Sequence, residues 1–133
     1  MGRKILSKEQ RKQRKADLKE LEECVLWHHY MVSAVIVAPL TFRVTFDDGK
    51  EVLCNVVEIT NKFYPQCADG MDSLYDPEVF QKYDFYPTLI EWETWNITSE
   101  ALYYNGDEVI PPQRKFIARR LKNHTWIRVE AKT

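Results

Sequence analysis

The chain has 133 residues, 44% of them hydrophobic and 29% charged, which fits one folded domain with short extensions and excludes global disorder. Its net charge of −1 conceals a segregated chain: residues 1–20 carry eight basic and three acidic side chains, residues 111–133 seven and one, and residues 21–110 four and sixteen. Four glycines argue against a glycine-rich phosphate loop, and the longest apolar run, Val32 to Leu40, is too short for a membrane helix of about 20 residues.

Met1 to Leu6 are followed by charge rather than by an apolar signal core, so no export signal is expected. Leu6 also stands where a myristoylation motif requires Ser or Thr. Cys24, Cys54 and Cys67 are odd in number and without a C-x-x-C spacing, which indicates neither a disulfide framework nor a zinc knuckle. A cytoplasmic location is the expectation, and the sequons at Asn96 and Asn123 are then chance matches.

The first element is a helix. Ser7 and Gln10 have the spacing of a capping box, no Gly or Pro interrupts the chain from Lys8 to about Tyr30, and Leu18, Leu21, Val25 and His28 recur at helical spacing. Its charged first half is expected to face solvent, and its second half, Ala16 to His29, to pack on the body.

Val32, Val35, Ile36 and Val37 then favour a strand. Residues 41–46 alternate with period two, Asp47-Asp48-Gly49-Lys50 is a hairpin turn, and Glu51 to Val57 reads as the returning strand. A three-stranded antiparallel meander follows from these signals.

A loop-rich section comes next, broken by a short helix that Asp76 caps and Pro77 opens, with Val79, Phe80 and Tyr83 on its buried side. Thr88 to Trp95 reads as a strand, with Leu89 and Glu91 on one face and Ile90 and Trp92 on the other. Ile97 to Tyr103 reads as a short turn or strand. Pro111-Pro112 is expected to open a basic helix running to about Asn123, and Thr125 to Val129 alternates like an edge strand. The resulting fold class is α+β, organised as a basic N-terminal helix (1–30), an acidic core domain (31–110) and a basic C-terminal helix and strand (111–133).

Several pieces of the middle occur together in a recognisable order: Val35, Pro39-Leu40, Phe42 through Gly49, Leu74-x-Asp76-Pro77-x-x-Phe80, Ile90-Glu91-Trp92 and Ala101-Leu102-Tyr103. Over residues 32–104 the chain resembles a small bacterial domain-of-unknown-function family, numbered two-four-four-two. Asn55 stands where that family usually has Asp, and Glu93 and Trp95 replace its proline and glycine. The resemblance implies a compact domain with a small antiparallel sheet and one or two helices. It also implies a bacterial or mobile-element source, with no enzymatic activity established for the family as a whole.

Chemistry-bearing groupings are few. Cys24 and His28 are four residues apart on the predicted helix, beside His29, but a zinc site needs three or four ligands and Cys54, Cys67 and His124 lack motif spacing. Both residues fall on the apolar stripe, where packing accounts for them. Glu91 and Glu93 would share a strand face, and a carboxylate pair can act as acid and base when burial separates their pKa values. No nucleophile elbow, metal motif or phosphate loop accompanies them, and a solvated sheet face accounts for them more simply. No catalytic residue, metal or cofactor is therefore expected.

Two surfaces remain. Asp72, Asp76, Glu78, Glu91 and Glu93 interleave with Tyr75, Tyr83 and Trp95. Aromatics enrich protein interfaces, and carboxylates steer a basic partner toward them; the alternative is an aromatic core with solvated acidic neighbours. Arg11, Lys12, Arg14 and Lys15, with Arg114, Lys115, Arg119, Arg120 and Lys122, could grip nucleic-acid phosphates, lie on the chain's own acidic domain, or simply be solvated. The expectation is a non-enzymatic binding protein whose partner is a protein with a basic surface or, alternatively, a nucleic acid, with no membrane and no small-molecule substrate.

Overall fold

The computed structural model describes residues 7–131, apart from the side chains of residues 23–25 and 27. The first helix, α1 (Lys8–Trp27), begins where its capping box predicts: Gln10 N–H donates to Ser7 Oγ at 3.2 Å, and Ser7 N–H donates to Gln10 Oε1 at 2.9 Å. It stops before His28, so His28 and His29 are not on its stripe. Leu18 is half-buried and Leu21 remains 51% exposed. Cys24 and Val25, the other stripe positions, lie outside the described side chains.

The chain divides into two compact units, residues 28–115 and the two ends, 1–27 with 116–133. The larger unit is built on a four-stranded antiparallel sheet. The expected meander is present as β1 (Met31–Ala38), β2 (Thr41–Phe46) and β3 (Glu51–Asn55). Pro39 and Leu40 make the first turn, with Leu40 in the left-handed region at φ 59°. That conformation costs a branched residue about 1 kcal/mol or more. Gly49 serves the second turn at φ 89°, and Asp48 Oδ1 accepts the Lys50 amide at 2.9 Å.

The returning strand is shorter than expected. Asn55, the last residue of β3, caps α2 (Val56–Phe63), its Oδ1 accepting the Glu58 amide at 3.0 Å. Val56, Val57, Ile59 and Thr60 give this helix its buried face. A tight helical turn, Met71–Tyr75, leads into α3 (Pro77–Phe80), where Asp76 caps the Glu78 amide at 3.0 Å as its spacing predicts.

A small antiparallel sheet follows: β4 (Asp84–Tyr86), β5 (Leu89–Glu91) and β6 (Asn96–Thr98). The strand expected over Thr88 to Trp95 is cut to three residues, because Trp92 N–H turns back to Trp95 O at 2.7 Å. Ile97 to Tyr103 is mostly helix rather than turn or strand: Thr98 Oγ1 accepts the Ala101 amide at 3.2 Å and starts α4 (Ser99–Asn105). Gly106 ends that helix where a Cβ would stand 2.7 Å from Cys54 Sγ and 2.9 Å from Val52 Cβ. The close approach lets β7 (Asp107–Ile110) join the edge of β3, completing the order β1-β2-β3-β7.

The core is aromatic and lies on one face of the main sheet. Phe42, fully buried, meets Phe80 at 5.1 Å, Tyr83 at 4.9 Å and Trp92 at 5.9 Å between ring centroids. The two buried tryptophans of this unit keep partners: Trp92 Nε1 donates to Phe80 O at 2.8 Å and Trp95 Nε1 to Cys67 O at 2.9 Å.

The smaller unit contradicts the predicted basic C-terminal helix. Residues 116–130 form a hairpin, β8 (Phe116–Arg120) and β9 (Trp126–Glu130), and α1 packs against both strands. Gln113 and Arg114 amides instead bind Asp48 O at 2.7 and 2.8 Å, holding the segment after Pro111-Pro112 in a non-helical path. Pairing with β9 then satisfies the β8 backbone, whereas a helix of this composition has no continuous apolar stripe to bury. The edge strand expected at Thr125 to Val129 is real, and its neighbour is β8.

Candidate functional site

An apolar groove of about 400 Å³ in the larger unit lies between two walls. Ile36 and Ala38 at the end of β1, with Pro39 and Leu40 of the turn, make one wall; Tyr75, Pro77 and Phe80 make the other. Local chemistry builds the second wall. Leu74 is fully buried and anchors the turn, Tyr75 is left 59% exposed, and the Asp76 cap fixes the start of α3. The strained Leu40 holds the first wall in place.

Asp72, Asp76 and Glu78 are exposed beside Tyr75 and Pro77. Residues 69–86 hold five carboxylates against one lysine, Lys82. Of the expected acidic and aromatic surface residues, Tyr75 lines the groove, and Asp72, Asp76 and Glu78 are exposed next to it in the chain without being among its lining residues. The structure assigns two other expected surface aromatics to the interior: Trp95 is 8% exposed, and Tyr83 packs its ring on Phe42 while donating its hydroxyl to Ala34 O at 3.2 Å. Glu91 on β5 and Glu93 in the following turn are exposed and do not line the groove, and the turn removes Glu93 from Glu91's strand face.

The basic candidates separate as well. Arg11, Lys12, Arg14, Lys15, Arg119, Arg120 and Lys122 are exposed in the smaller unit, whose thirteen basic and six acidic residues give it a net charge of +7. Arg114 and Lys115 belong to the larger unit, net −8, where Arg114 Nη1 donates to Asp47 O at 3.3 Å.

One cluster has no counterpart in the motif reading. Asp48, buried at 5% exposure, accepts the Tyr103 hydroxyl on Oδ2; Lys50 Nζ donates to Tyr103 O at 2.8 Å and sits 4.1 Å above its ring. His29 also stacks on Tyr103, with ring centroids 3.7 Å apart, and its Nδ1 lies 3.0 Å from Glu100 Oε2. Burial and then the Asp48 carboxylate push the Tyr103 hydroxyl pKa well above its ordinary value. Asp48, Tyr103 and His29 do not line the apolar groove. The cluster pins α4 to the β2–β3 turn and to the start of β1. Partners 55 and 71 positions apart leave no local signal. Among the described residues no three His, Cys, Asp or Glu side chains converge as a metal site would require.

The cysteines differ in reactivity. Burial pushes the Cys54 thiol up to about 12, with help from the Asp107 charge, while Cys67 is exposed. Iodoacetamide should therefore alkylate Cys67 long before Cys54 in the folded protein, as peptide mapping would read. Above the ordinary Cys value of 9.0, the unfolded chain loses a proton that folded Cys54 keeps. Stability should then fall by up to about 1.4 kcal/mol per pH unit between 9 and 12. Urea titrations of Cys54→Ala should lose that part of the alkaline slope.

Fold and groove together define an α+β protein with antiparallel sheets and an apolar groove. No protein-family model matches the chain, and no curated protein or solved structure matches it. Among the described residues no helix is long and apolar enough to cross a membrane.

Proposed function

We propose that the chain is a non-enzymatic binding protein of a bacterium or mobile element that regulates or inhibits a protein partner by covering its basic surface. An antitoxin and a DNA-mimicking inhibitor of a defence nuclease both work in this way. One observation carries the reading: Tyr75 and Pro77 line an apolar groove, and Asp72, Asp76 and Glu78, exposed next to them in the chain, belong to a unit of net charge −8. An apolar centre with a charged rim is how specific protein interfaces are built. The bacterial or mobile-element source rests on the sequence resemblance alone.

The test is capture from a native lysate. Asp72→Lys, Asp76→Lys and Glu78→Lys combined should reduce recovery of the native chain's partner roughly tenfold or more, whereas Glu91→Lys with Glu93→Lys should reduce it less. Equal recovery by all three proteins would remove the reading.

A second reading is nucleic-acid binding by the smaller unit. It is favoured by the meeting of both basic ends in one unit of net charge +7. Phosphate contacts by Arg11, Lys12, Arg14, Lys15, Arg119, Arg120 and Lys122 predict affinity for duplex or single strands that drops steeply as salt rises. Absence of binding at low salt would sink this second reading.

A further inference from the structure

The groove adjoins a sheet edge that is closed along only part of its length. β1 is the outermost strand of the main sheet and pairs with β2 alone. At its start the edge is occupied: Met31 N–H donates to Pro87 O at 2.7 Å, and the Tyr83 hydroxyl donates to Ala34 O at 3.2 Å. The second bond shows that the Ala34 carbonyl faces away from β2. In an antiparallel ladder this direction repeats every second residue, so the N–H and C=O of Ile36 face the same way. Among the described residues no hydrogen bond outside the β1–β2 ladder reaches Ile36. Proteins ordinarily cover or charge such an edge; here the open part is also a wall of the apolar groove.

We infer that this edge and groove take an extended segment of a protein partner, in which an apolar residue has Lys or Arg two positions to either side, by strand addition to β1. The inference rests on the protein-binding reading above and names the form of the ligand. Backbone pairing with Ile36 places alternate side chains of the segment toward opposite faces of the sheet. One of them enters the groove against Tyr75, Pro77 and Phe80. A volume of about 400 Å³ suits one or two bulky side chains rather than the face of a whole helix. Side chains two positions to either side share the face of the one in the groove, so cations there are directed toward Asp72, Asp76 and Glu78, exposed next to that wall in the chain. The left-handed Leu40 belongs to this surface: its strained turn presents Pro39 and Leu40 to the groove.

A fluorescent heptapeptide, Lys-Thr-Leu-Thr-Leu-Thr-Lys, whose leucines and lysines share one face when extended, serves as the test ligand for the 133-residue chain. Its glutamate-for-lysine counterpart and a form N-methylated on the central leucine amides serve as controls. Strand addition predicts that the lysine peptide binds at low salt and that N-methylation weakens it at least tenfold. Hydrogen exchange of the Ile36 amide should slow at least tenfold in the complex. Tyr75→Ala, and Asp76→Lys with Glu78→Lys, should each weaken binding at least fivefold, while Glu91→Lys with Glu93→Lys leaves it within twofold.

Equal binding of the N-methylated form, unprotected Ile36, or a concentration-dependent protection of Ile36 without peptide would each overturn the inference; the last would mean that a second copy occupies the edge. The peptide arms leave the protein unaltered, so a variant that fails to fold does not obscure the result. If the peptide fails while lysate capture still depends on Asp72, Asp76 and Glu78, strand addition falls and the protein-binding reading stands. If capture also ignores those residues, both fall.

Discussion

Phe42→Ala is expected to destabilise the larger unit by about 3–5 kcal/mol, the usual cost of truncating a fully buried aromatic. Phe42 has no exposed surface and contacts Phe80, Tyr83 and Trp92, which come from three different segments. Its removal takes away the common neighbour of those rings, and none of them can close the space alone: Trp92 is tethered to Phe80 O and Tyr83 to Ala34 O. Most domains have only about 5–15 kcal/mol in total, so the variant should unfold at a much lower urea concentration with a similar slope. The groove should loosen with it, because Phe80 is both a neighbour of Phe42 and part of the groove wall. A loss under 1 kcal/mol would contradict the packing described.

The second large effect concerns Asp48. Replacing it with alanine removes the acceptor for the Tyr103 hydroxyl and for the Lys50 amide together. Hydrogen bonds to a charged group are worth about 1.5–3 kcal/mol each, and part of this is offset by releasing a buried carboxylate to solvent in the reference state. A net loss of about 2–4 kcal/mol is expected on those magnitudes. A double-mutant cycle with Tyr103→Phe separates the pair from the turn: coupling of about 1 kcal/mol or more shows the direct bond. Strict additivity would show that Asp48 acts only through its own turn. Because α4 is pinned through Tyr103, the same variant should raise amide exchange in Ser99–Asn105 before global unfolding.

What could be read before the fold was known follows a physical rule. The Ser7–Gln10 box, the Asp47–Lys50 turn, the Asp76-Pro77 start and the alternation of residues 41–46 all depend on groups within about four positions of one another. The helix α2 was also within reach, since Asn55 and Glu58 have cap spacing and Val56, Ile59, Thr60 and Phe63 recur helically. The β-branched Val56-Val57 pair drew the reading toward a strand, and a cap residue overrode that preference.

The C-terminal segment shows the opposite case. Pro111-Pro112 and the charged residues after it have the composition of a helix start, but the Asp48 carbonyl takes the Gln113 and Arg114 amides and β9 pairs with Phe116 to Arg120. Both partners are distant or come later in the chain. The candidate site divides in the same way. Tyr75 and its acidic neighbours were legible as a cluster, whereas the groove needs Ile36 to Leu40, more than thirty positions away, as its other wall. Tyr83 and Trp95 have the same sequence character as Tyr75, and only packing distinguishes core from surface.

The sequence by itself determined that the chain is α+β, that it contains a β-meander, and that its charge is segregated along its length, because these follow from local hydrogen bonding, side-chain period and a simple count. Tertiary structure decided how that segregation is arranged. The basic ends, about ninety positions apart, belong to one unit of net charge +7, and the acidic middle, with Arg114 and Lys115 included, is another of net charge −8. Contacts between α1 and the β8–β9 hairpin unite the ends, and contacts of that range depend on which apolar faces find one another, a property no local stretch of sequence carries.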